Sequence, residues 1–261
     1  MTRRIFLLLT LLAGSVAAEE IKDFGRDRLN NSPRHADWID LQSGADRKIK
    51  AFVVYPERKD KAPVVIVVSE IFGLTDWVRS LCDELAENGV IALAPDLHGG
   101  QKFEDLDGAR KATSALSKDQ VKADLDAAAE YALTKIPAAN GKLAVCGFCW
   151  GGGWAFSYAT MNPKLKAAYS FYGPLPNDPA TFGTIACPVY GFYGEKDERV
   201  NAGIASGEEA MKTASKKYEP VIYKGAGHGF MRAGESPEGS PDDKKARDDA
   251  WARWKTLLKQ L

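Results

Sequence analysis

The sequence predicts an α/β fold, in which a mostly parallel central sheet is flanked by helices in a three-layer sandwich. The first observation is a continuous β-branched run, PVVIVVS at 63–69, typical of a strand buried on both faces of a parallel sheet. The second is that similar apolar runs recur along the chain, with helical patterns of 10–20 residues between them. Strands that alternate with helices in this way indicate βαβ units.

The strands follow a polar, irregular lead-in at 19–36. Two strands, ADWIDL and KIKAFVVYP, surround the turn-like SGAD between residues 36 and 57. Later apolar runs predict further strands at 63–69, 90–95, 142–148, 166–173, 188–194 and 219–225.

Helices are predicted at 77–89, 118–135, 201–217 and 242–260, and after Cys149. In the second of these, Val121, Leu125, Ala128 and Ala132 share one face. Ser117 and Gln120 have the spacing of a capping box at its start. Residues 233–243, AGESPEGSPDD, form the most loop-like stretch.

Residues 1–18 have the pattern of a secretory signal peptide. Two arginines precede an apolar stretch, and Val16 and Ala18 occupy positions −3 and −1 of a cut before Glu19. The alternative, a membrane anchor, is disfavoured because a spanning helix needs ~20 apolar residues. TRRIFL also resembles a twin-arginine signal. We expect a periplasmic or secreted protein with one domain, residues 19–261, and no stable membrane association.

Charge and residue composition indicate which kinds of partner to expect. The chain has 35 basic and 35 acidic residues, and removal of Arg3 and Arg4 leaves 33 − 35 = −2. Nothing in this balance indicates a nucleic-acid partner. Three scattered histidines and four cysteines lack metal-ligand spacing, so we expect no metal and no cofactor. The oligomeric state is open, with a monomer favoured, and so is pairing of Cys82 with Cys187.

The segment VCGFCWGGG at 145–153 places a cysteine where a strand gives way to a helix. Gly147, Cys149 and Gly151 form G-x-C-x-G, the nucleophile-elbow pattern with sulfur replacing the usual serine oxygen. Such a turn lifts the thiol over a helix N-terminus, whose partial positive charge favours the thiolate. Two alternatives are a buried structural cysteine and a C-x-x-C redox pair with Cys146.

A cysteine nucleophile requires a base and an acid that orients it. His228, in KGAGHGF, follows the last predicted strand, and the elbow arrangement runs nucleophile, acid, histidine. Asp197, in GFYGEKDERV, follows a strand between the two and is the preferred acid, although a helix N-cap would also suit it. His98 also follows a strand, whereas His35 lies in the lead-in.

Acyl transfer also needs donors for the developing oxyanion. The backbone N–H groups of Trp150, after the nucleophile, and of Ile71, in the loop after strand 63–69, are the candidates. Glu70 in the same loop is unexpected, because a carboxylate beside a thiolate would repel it.

Five motifs in order together resemble the dienelactone hydrolase (carboxymethylenebutenolidase) family of α/β-hydrolases. They are EIFGL at 70–74, PDL at 95–97, GFCWGG at 147–152, YGEKD at 193–197 and HGFMR at 228–232. The resemblance implies an α/β-hydrolase fold with Cys149, Asp197 and His228 as a triad. It also implies that Glu70 takes part in substrate-linked activation of the thiol and that Arg232 binds a substrate carboxylate.

One departure concerns the segment after PDL. Dienelactone-cleaving relatives carry a second substrate-binding arginine there, in a PDLYAR pattern, whereas this chain has PDLHGG with Gly100 in its place. This departure argues against a carboxylate-bearing dienelactone as the substrate. We expect a hydrolase for an ester, a lactone or a thioester, and the cysteine nucleophile favours enol-type esters because they release stabilised anions. The alternatives are a small aryl esterase of the same fold, a thiol redox protein and a catalytically silent binding protein.

Overall fold

The computed structural model describes residues 25–261, so the predicted signal peptide at 1–18 lies outside the described residues. The strands are β1 (Ala36–Gln42), β2 (Lys48–Val54), β3 (Ala62–Val68), β4 (Ile91–Pro95), β5 (Ala139–Phe148), β6 (Leu165–Phe171), β7 (Val189–Gly194) and β8 (Tyr218–Tyr223). Within the described range these eight strands form one sheet in the order β1-β2-β4-β3-β5-β6-β7-β8. Only the β1–β2 and β2–β4 pairs are antiparallel. The predicted mostly parallel sheet is confirmed.

Helices cover both faces of the sheet. They are α1 (Arg26–Asn31), α2 (Asp76–Glu87), α3 (Leu106–Ser114), α4 (Lys118–Thr134), α5 (Trp150–Met161), α6 (Glu198–Asn201), α7 (Ile204–Thr213), α8 (Phe230–Ala233) and α9 (Pro241–Leu258). The apolar residues of α2 and α9 pack in one cluster, and those of α4 and α5 pack in another on the opposite face. This is the predicted three-layer α/β sandwich.

Strand β3 shows why the apolar runs are continuous. Val65 and Val67 belong to the cluster with α2 and α9, whereas Val64 and Ile66 belong to the cluster with α4 and α5. Since successive side chains point to opposite faces and both faces are covered, each position must be apolar. Burial of each such side chain contributes about 1.5–3 kcal/mol.

Helix α4 begins where its capping residue predicts. The Ser117 hydroxyl accepts a hydrogen bond of 3.2 Å from the Gln120 backbone N–H, and the predicted face of this helix is fully buried. The side chains of that face pack on strands of the sheet and form part of the second cluster.

Three stretches differ from the prediction. The lead-in at 19–36 contains helix α1, which is held to α2 by the ion pair of Arg26 with Asp76. The predicted helix 201–217 is observed as the shorter α7, and the four-residue α6 that precedes it was not predicted. Helix α3 was not predicted, because its sequence, LDGARKATS, has few apolar residues to reveal a periodicity.

The positions of the cysteines decide whether Cys82 and Cys187 can form a disulfide. All four cysteines are free. Cys82 and Cys187 lie in clusters on opposite faces of the sheet, so they cannot pair.

No helix within residues 25–261 has the length and apolar character that crossing a membrane requires.

The connection from β5 to α5 is a closely packed turn that positions Cys149. Cys149 has φ 56° and ψ −119°, a backbone conformation that non-glycine residues rarely adopt. A Cβ on Gly147 would lie 1.9 Å from the Gly151 carbonyl oxygen, and one on Gly151 would lie 2.3 Å from the carbonyl oxygens of Val68 and Ser69. Any side chain at these glycines would therefore push β5, α5 and β3 apart.

The turn gives a stability prediction. Gly151→Ala should lower the free energy of unfolding by about 2 kcal/mol or more, because overpacking against backbone has no side chain that can yield. Gly183→Ala is the matched control, since its Cβ would meet nothing within 4 Å, and should change stability by less than ~0.5 kcal/mol. Urea denaturation of both variants measures the difference. Equal free energies of unfolding for the two variants would contradict this close packing.

Candidate active site

Cys149 stands at the carboxyl end of β5 and caps the N-terminus of α5. Its backbone N–H donates to the Phe171 carbonyl at 3.0 Å, and its own carbonyl accepts from the Gly153 N–H at 3.1 Å. These bonds fix the strained turn to the neighbouring strand and to the first turn of the helix. The side chain is partly exposed and lies at the positive end of a 12-residue helix.

His228 joins Cys149 to Asp197. The Asp197 carboxylate and His228 Nδ1 are 2.5 Å apart, and the Cys149 side chain lies close enough to the imidazole to raise the pKa of His228. Asp197 precedes α6 at the N-cap position, yet its side chain makes no capping bond. The carboxylate, which is 7% exposed, is directed to the histidine instead.

Two loops bring Asp197 and His228 together. The Lys196 N–H donates to the Ala226 carbonyl at 2.9 Å, and Gly194 lies so close to Ala226 that a Cβ would meet its oxygen at 2.7 Å. Glu195, two residues before Asp197, accepts from the Gly225 N–H at 2.8 Å. Asp243, on α9, accepts from the Gly227 N–H at 2.9 Å. Sequence reasoning missed both carboxylates, since each acts on backbone that is distant along the chain.

The surroundings of His228 favour its protonated form. Burial lowers the pKa of the imidazole, but the hydrogen bonds to Asp197 and Cys149 and the negative charges of these groups outweigh burial. The resulting pKa is about 10, against an ordinary value of 6.5. A positive imidazolium is thus stabilised between the carboxylate and the sulfur.

The predicted oxyanion donors flank the thiol from two elements. Ile71 lies in the loop after β3, and Trp150 is the first residue of α5. Within residues 25–261 neither N–H is bonded to another backbone group. Gly151 packs on Val68 and Ser69, which holds the start of α5 against the residues that lead into the Ile71 loop.

Glu70 does not face the thiol as an unpaired charge. Arg232 Nε donates to its carboxylate at 3.0 Å, and the Arg232 guanidinium stacks over Phe72, 5.4 Å from the ring centre. Glu70 is 3% exposed. Burial lowers the pKa of Arg232, but the charge of Glu70, with smaller contributions from Tyr172 and Cys149, raises it overall.

Tyr172 is a site residue that the sequence did not reveal. It is fully buried, has φ 41° and packs edge-on against His228 with ring centres 5.1 Å apart. Burial, followed by the neighbouring charge of Glu70, raises its pKa well above the ordinary value. Its position at the carboxyl end of a predicted strand is the only sequence signal that could have indicated it.

The remaining candidates lie apart from the Cys149–His228–Asp197 group. His35 is exposed and pairs with Asp37 at 2.6 Å. His98 is buried beside Trp150 but contacts neither Asp197 nor Cys149 through any hydrogen bond within the described chain. Cys146 is completely buried in the core, where an exchangeable redox partner for Cys149 would be inaccessible.

Gly100 lines a cavity of about 330 Å³ together with Trp38, Lys50 and Lys102. Both lysines are paired, Lys50 with Asp40 at 2.6 Å and Lys102 with Asp76 at 2.9 Å. A Cβ on Gly100 would meet nothing within 4 Å. The position that holds an arginine in dienelactone-cleaving relatives is therefore open space here. Within residues 25–261 no group of three or more His, Cys, Asp or Glu side chains is arranged so that it could hold a metal ion.

The raised pKa of His228 predicts a pH-dependent stability difference. A group whose pKa rises on folding stabilises the native state fully below its unfolded value, near 6.5, and this contribution is lost as the pH rises towards about 10. Wild type should therefore exceed His228→Gln in stability most at pH 6, with the difference shrinking towards pH 10. Denaturant titrations under reducing conditions measure it, with His35→Gln as the exposed control. A difference that grows with pH would contradict the described electrostatics.

The chain is similar to known proteins over most of its length. The model of the "Dienelactone hydrolase family" matches residues 49–261. The chain is 37% identical over 196 residues to a Salmonella typhimurium protein named "Putative carboxymethylenebutenolidase", covering 69% of this chain and 72% of that protein. A protein of the same name from Escherichia coli K12 is 34% identical over 215 residues, which cover 75% and 77% of the two chains.

A solved structure shows the same fold. The "Putative Dienelactone Hydrolase" of Klebsiella pneumoniae superposes with a TM-score of 0.78 at 29% identity, covering 87% of this chain and 99% of that chain. The family match spans the sheet from β2 onward and all the motifs discussed above. The chain therefore belongs to the dienelactone hydrolase family of α/β-hydrolases and is a hydrolase of carboxylic esters or lactones.

Proposed function

We propose that this enzyme cleaves its ester or lactone through a covalent acyl-enzyme formed on Cys149. The observation that carries the proposal is the thiol at the elbow, close enough to an imidazole to raise its pKa, with that imidazole bonded to a buried carboxylate. This is the arrangement of nucleophile, base and orienting acid that acyl transfer requires.

Before the first half-reaction the thiol proton already rests on His228 as an imidazolium, and the Cys149 thiolate attacks the substrate carbonyl carbon. Nδ1 is bonded to Asp197, so Nε2 is the nitrogen that takes the proton. The N–H groups of Ile71 and Trp150 stabilise the oxyanion of the tetrahedral intermediate. When the intermediate collapses, His228 returns the proton to the leaving oxygen, which departs from an ester or stays tethered in an opened lactone.

In the second half-reaction water replaces the leaving group. His228 accepts a proton from water, and the hydroxide attacks the thioester carbonyl. The second tetrahedral intermediate releases the carboxylic acid and the Cys149 thiolate, and the proton remains on His228. Asp197 remains ionised throughout and keeps the imidazole oriented.

Glu70 and Arg232 select the substrate in this proposal. Glu70 occupies Nε of the guanidinium, so the Nη edge is the part that would receive a substrate carboxylate. An incoming substrate carboxylate competes with Glu70 for Arg232. Once released from Arg232, Glu70 can take part in activation of the Cys149 thiol. Because Gly100 supplies no second cation, a single carboxylate contact is expected. Enol-type esters remain the favoured class, since their stabilised anions leave more readily than the sulfur.

A substrate panel tests both the nucleophile and the substrate class. Purified enzyme should hydrolyse enol lactones and enol esters at least tenfold faster than matched alkyl esters, and Cys149→Ala should lose more than about 10³-fold in kcat. Cys146→Ser is the matched control and should keep activity, because a redox pair would need both sulfurs. Equal rates on enol and alkyl esters would refute the substrate class. Equal loss in both cysteine variants would favour the redox alternative.

The panel also separates the aryl esterase alternative, which Gly100 favours. Carboxylate-bearing lactones and neutral aryl esters of equal leaving-group acidity serve as the paired substrates. A preference for the neutral aryl ester would assign the enzyme to that class and leave the role of Arg232 without support.

We also propose that the protein is exported and that residues 1–18 are removed before Glu19. The charged, apolar and small-residue order of this segment supports the proposal. Intact-mass measurement of protein recovered from a bacterial periplasm should give an N-terminus at Glu19. An uncleaved chain retained in the cytoplasm would contradict it.

A further inference from the structure

We propose that His98 is a positioning residue that fixes both halves of the oxyanion hole. It lies after β4, in the PDLHGG segment, and reaches Ile71 and Trp150 by separate contacts. The inference rests on the proposed acyl transfer, because it assigns the same two N–H groups as oxyanion donors.

A hydrogen-bonded chain connects His98 to the Ile71 peptide. His98 Nε2 lies 3.2 Å from the Thr113 hydroxyl oxygen, and that hydroxyl donates to the Ile71 carbonyl at 3.4 Å. The hydroxyl has one hydrogen, which goes to the carbonyl, so Nε2–H must donate to Thr113. The carbonyl and N–H of Ile71 flank the same Cα, and anchoring the first limits rotation of the second.

The ring of His98 also packs on the side chain of Trp150, whose backbone N–H is the other proposed donor. Its centre is 5.8 Å from the Trp150 ring at 62° and 5.6 Å from the Phe103 ring at 70°. The Phe103 N–H donates to the Phe72 carbonyl at 3.1 Å, which ties this aromatic group back to the Ile71 loop. One imidazole thus spans the two elements whose separation defines the hole.

The protonation state agrees with this hydrogen-bond direction. Burial lowers the pKa of His98, and the charge of Asp96 offsets only part of that effect. The ring is therefore neutral at physiological pH, with its hydrogen on Nε2. Nδ1 is then a buried acceptor without a hydrogen-bond partner in the described chain.

An apolar side chain of similar size could fill the space of the His98 ring. The Nε2 bond to Thr113 is what an apolar residue could not supply. Loss of an oxyanion donor lowers kcat by about 10²–10³, so loosening the donors should have a smaller effect on the same step.

The experiment compares His98→Leu and Thr113→Val, which each remove the link, with His98→Gln, which can place an amide donor near the Nε2 position. Substrates are those of the panel, and each variant is also tested for alkylation of Cys149 by iodoacetamide. Alkylation occurs at a saturated carbon and develops no carbonyl oxyanion, so it reports the thiol and His228 alone. His35→Leu and Thr256→Val are matched controls on exposed surface.

We expect His98→Leu and Thr113→Val to lower kcat about 10–100-fold with KM and alkylation rate within about twofold of wild type. His98→Gln should recover most of the lost kcat. The double variant that combines His98→Leu with Thr113→Val should have a kcat no lower than that of the less active single variant.

Wild-type kcat in His98→Leu, with wild type itself active, would overturn the proposal. Parallel losses in kcat and alkylation would also overturn it, because they would indicate general disruption of the site. An inactive wild type that still alkylates normally would contradict the proposed function instead.

Discussion

The site depends on the close approach of backbone at the β5–α5 turn. Cys149 adopts a left-handed φ of 56°, a conformation that costs a non-glycine residue of order 1–3 kcal/mol. The surrounding sheet maintains it through the bonds of Cys149 to Phe171 and Gly153. The turn is possible only because Gly147 and Gly151 present no Cβ to the carbonyls beside them. The same contact sets where the sulfur, the Trp150 N–H and the start of α5 lie.

The parallel sheet supplies the other groups through its topology. Because parallel strands all end at one edge, the loops after β3, β5, β7 and β8 meet there. They carry Glu70, Cys149, Asp197 and His228, respectively. The contacts between the last two loops then bring the carboxylate and imidazole within 2.5 Å. The geometry of the candidate site is thus a property of the sheet edge and not of any single loop.

Features with a strong local signal could be predicted from the sequence. The buried strands follow from continuous apolar runs, and α4 follows from its periodicity and Ser117 cap. The approach of Cys149, Asp197 and His228 follows from chain order and the shared edge. Other features depend on partners distant along the chain. Helix α1 is held by ion pairs such as Arg26–Asp76, and Glu195 acts on the Gly225 backbone, so no local pattern indicates either one.

The charged groups divide into two sets that meet around the thiol. Asp197 and His228 form one, and Glu70 and Arg232 form the other, with Tyr172 between them in contact with His228. Each carboxylate faces a cation, which allows two buried acids to lie close to the Cys149 sulfur.

The most direct test of the mechanism is to quench turnover of an enol ester in acid and locate the acyl group by peptide mass spectrometry. The account predicts an acyl adduct on the peptide that contains Cys149, formed before steady state and absent in Cys149→Ala. An acyl group on another residue, or turnover that survives in Cys149→Ala, would contradict it.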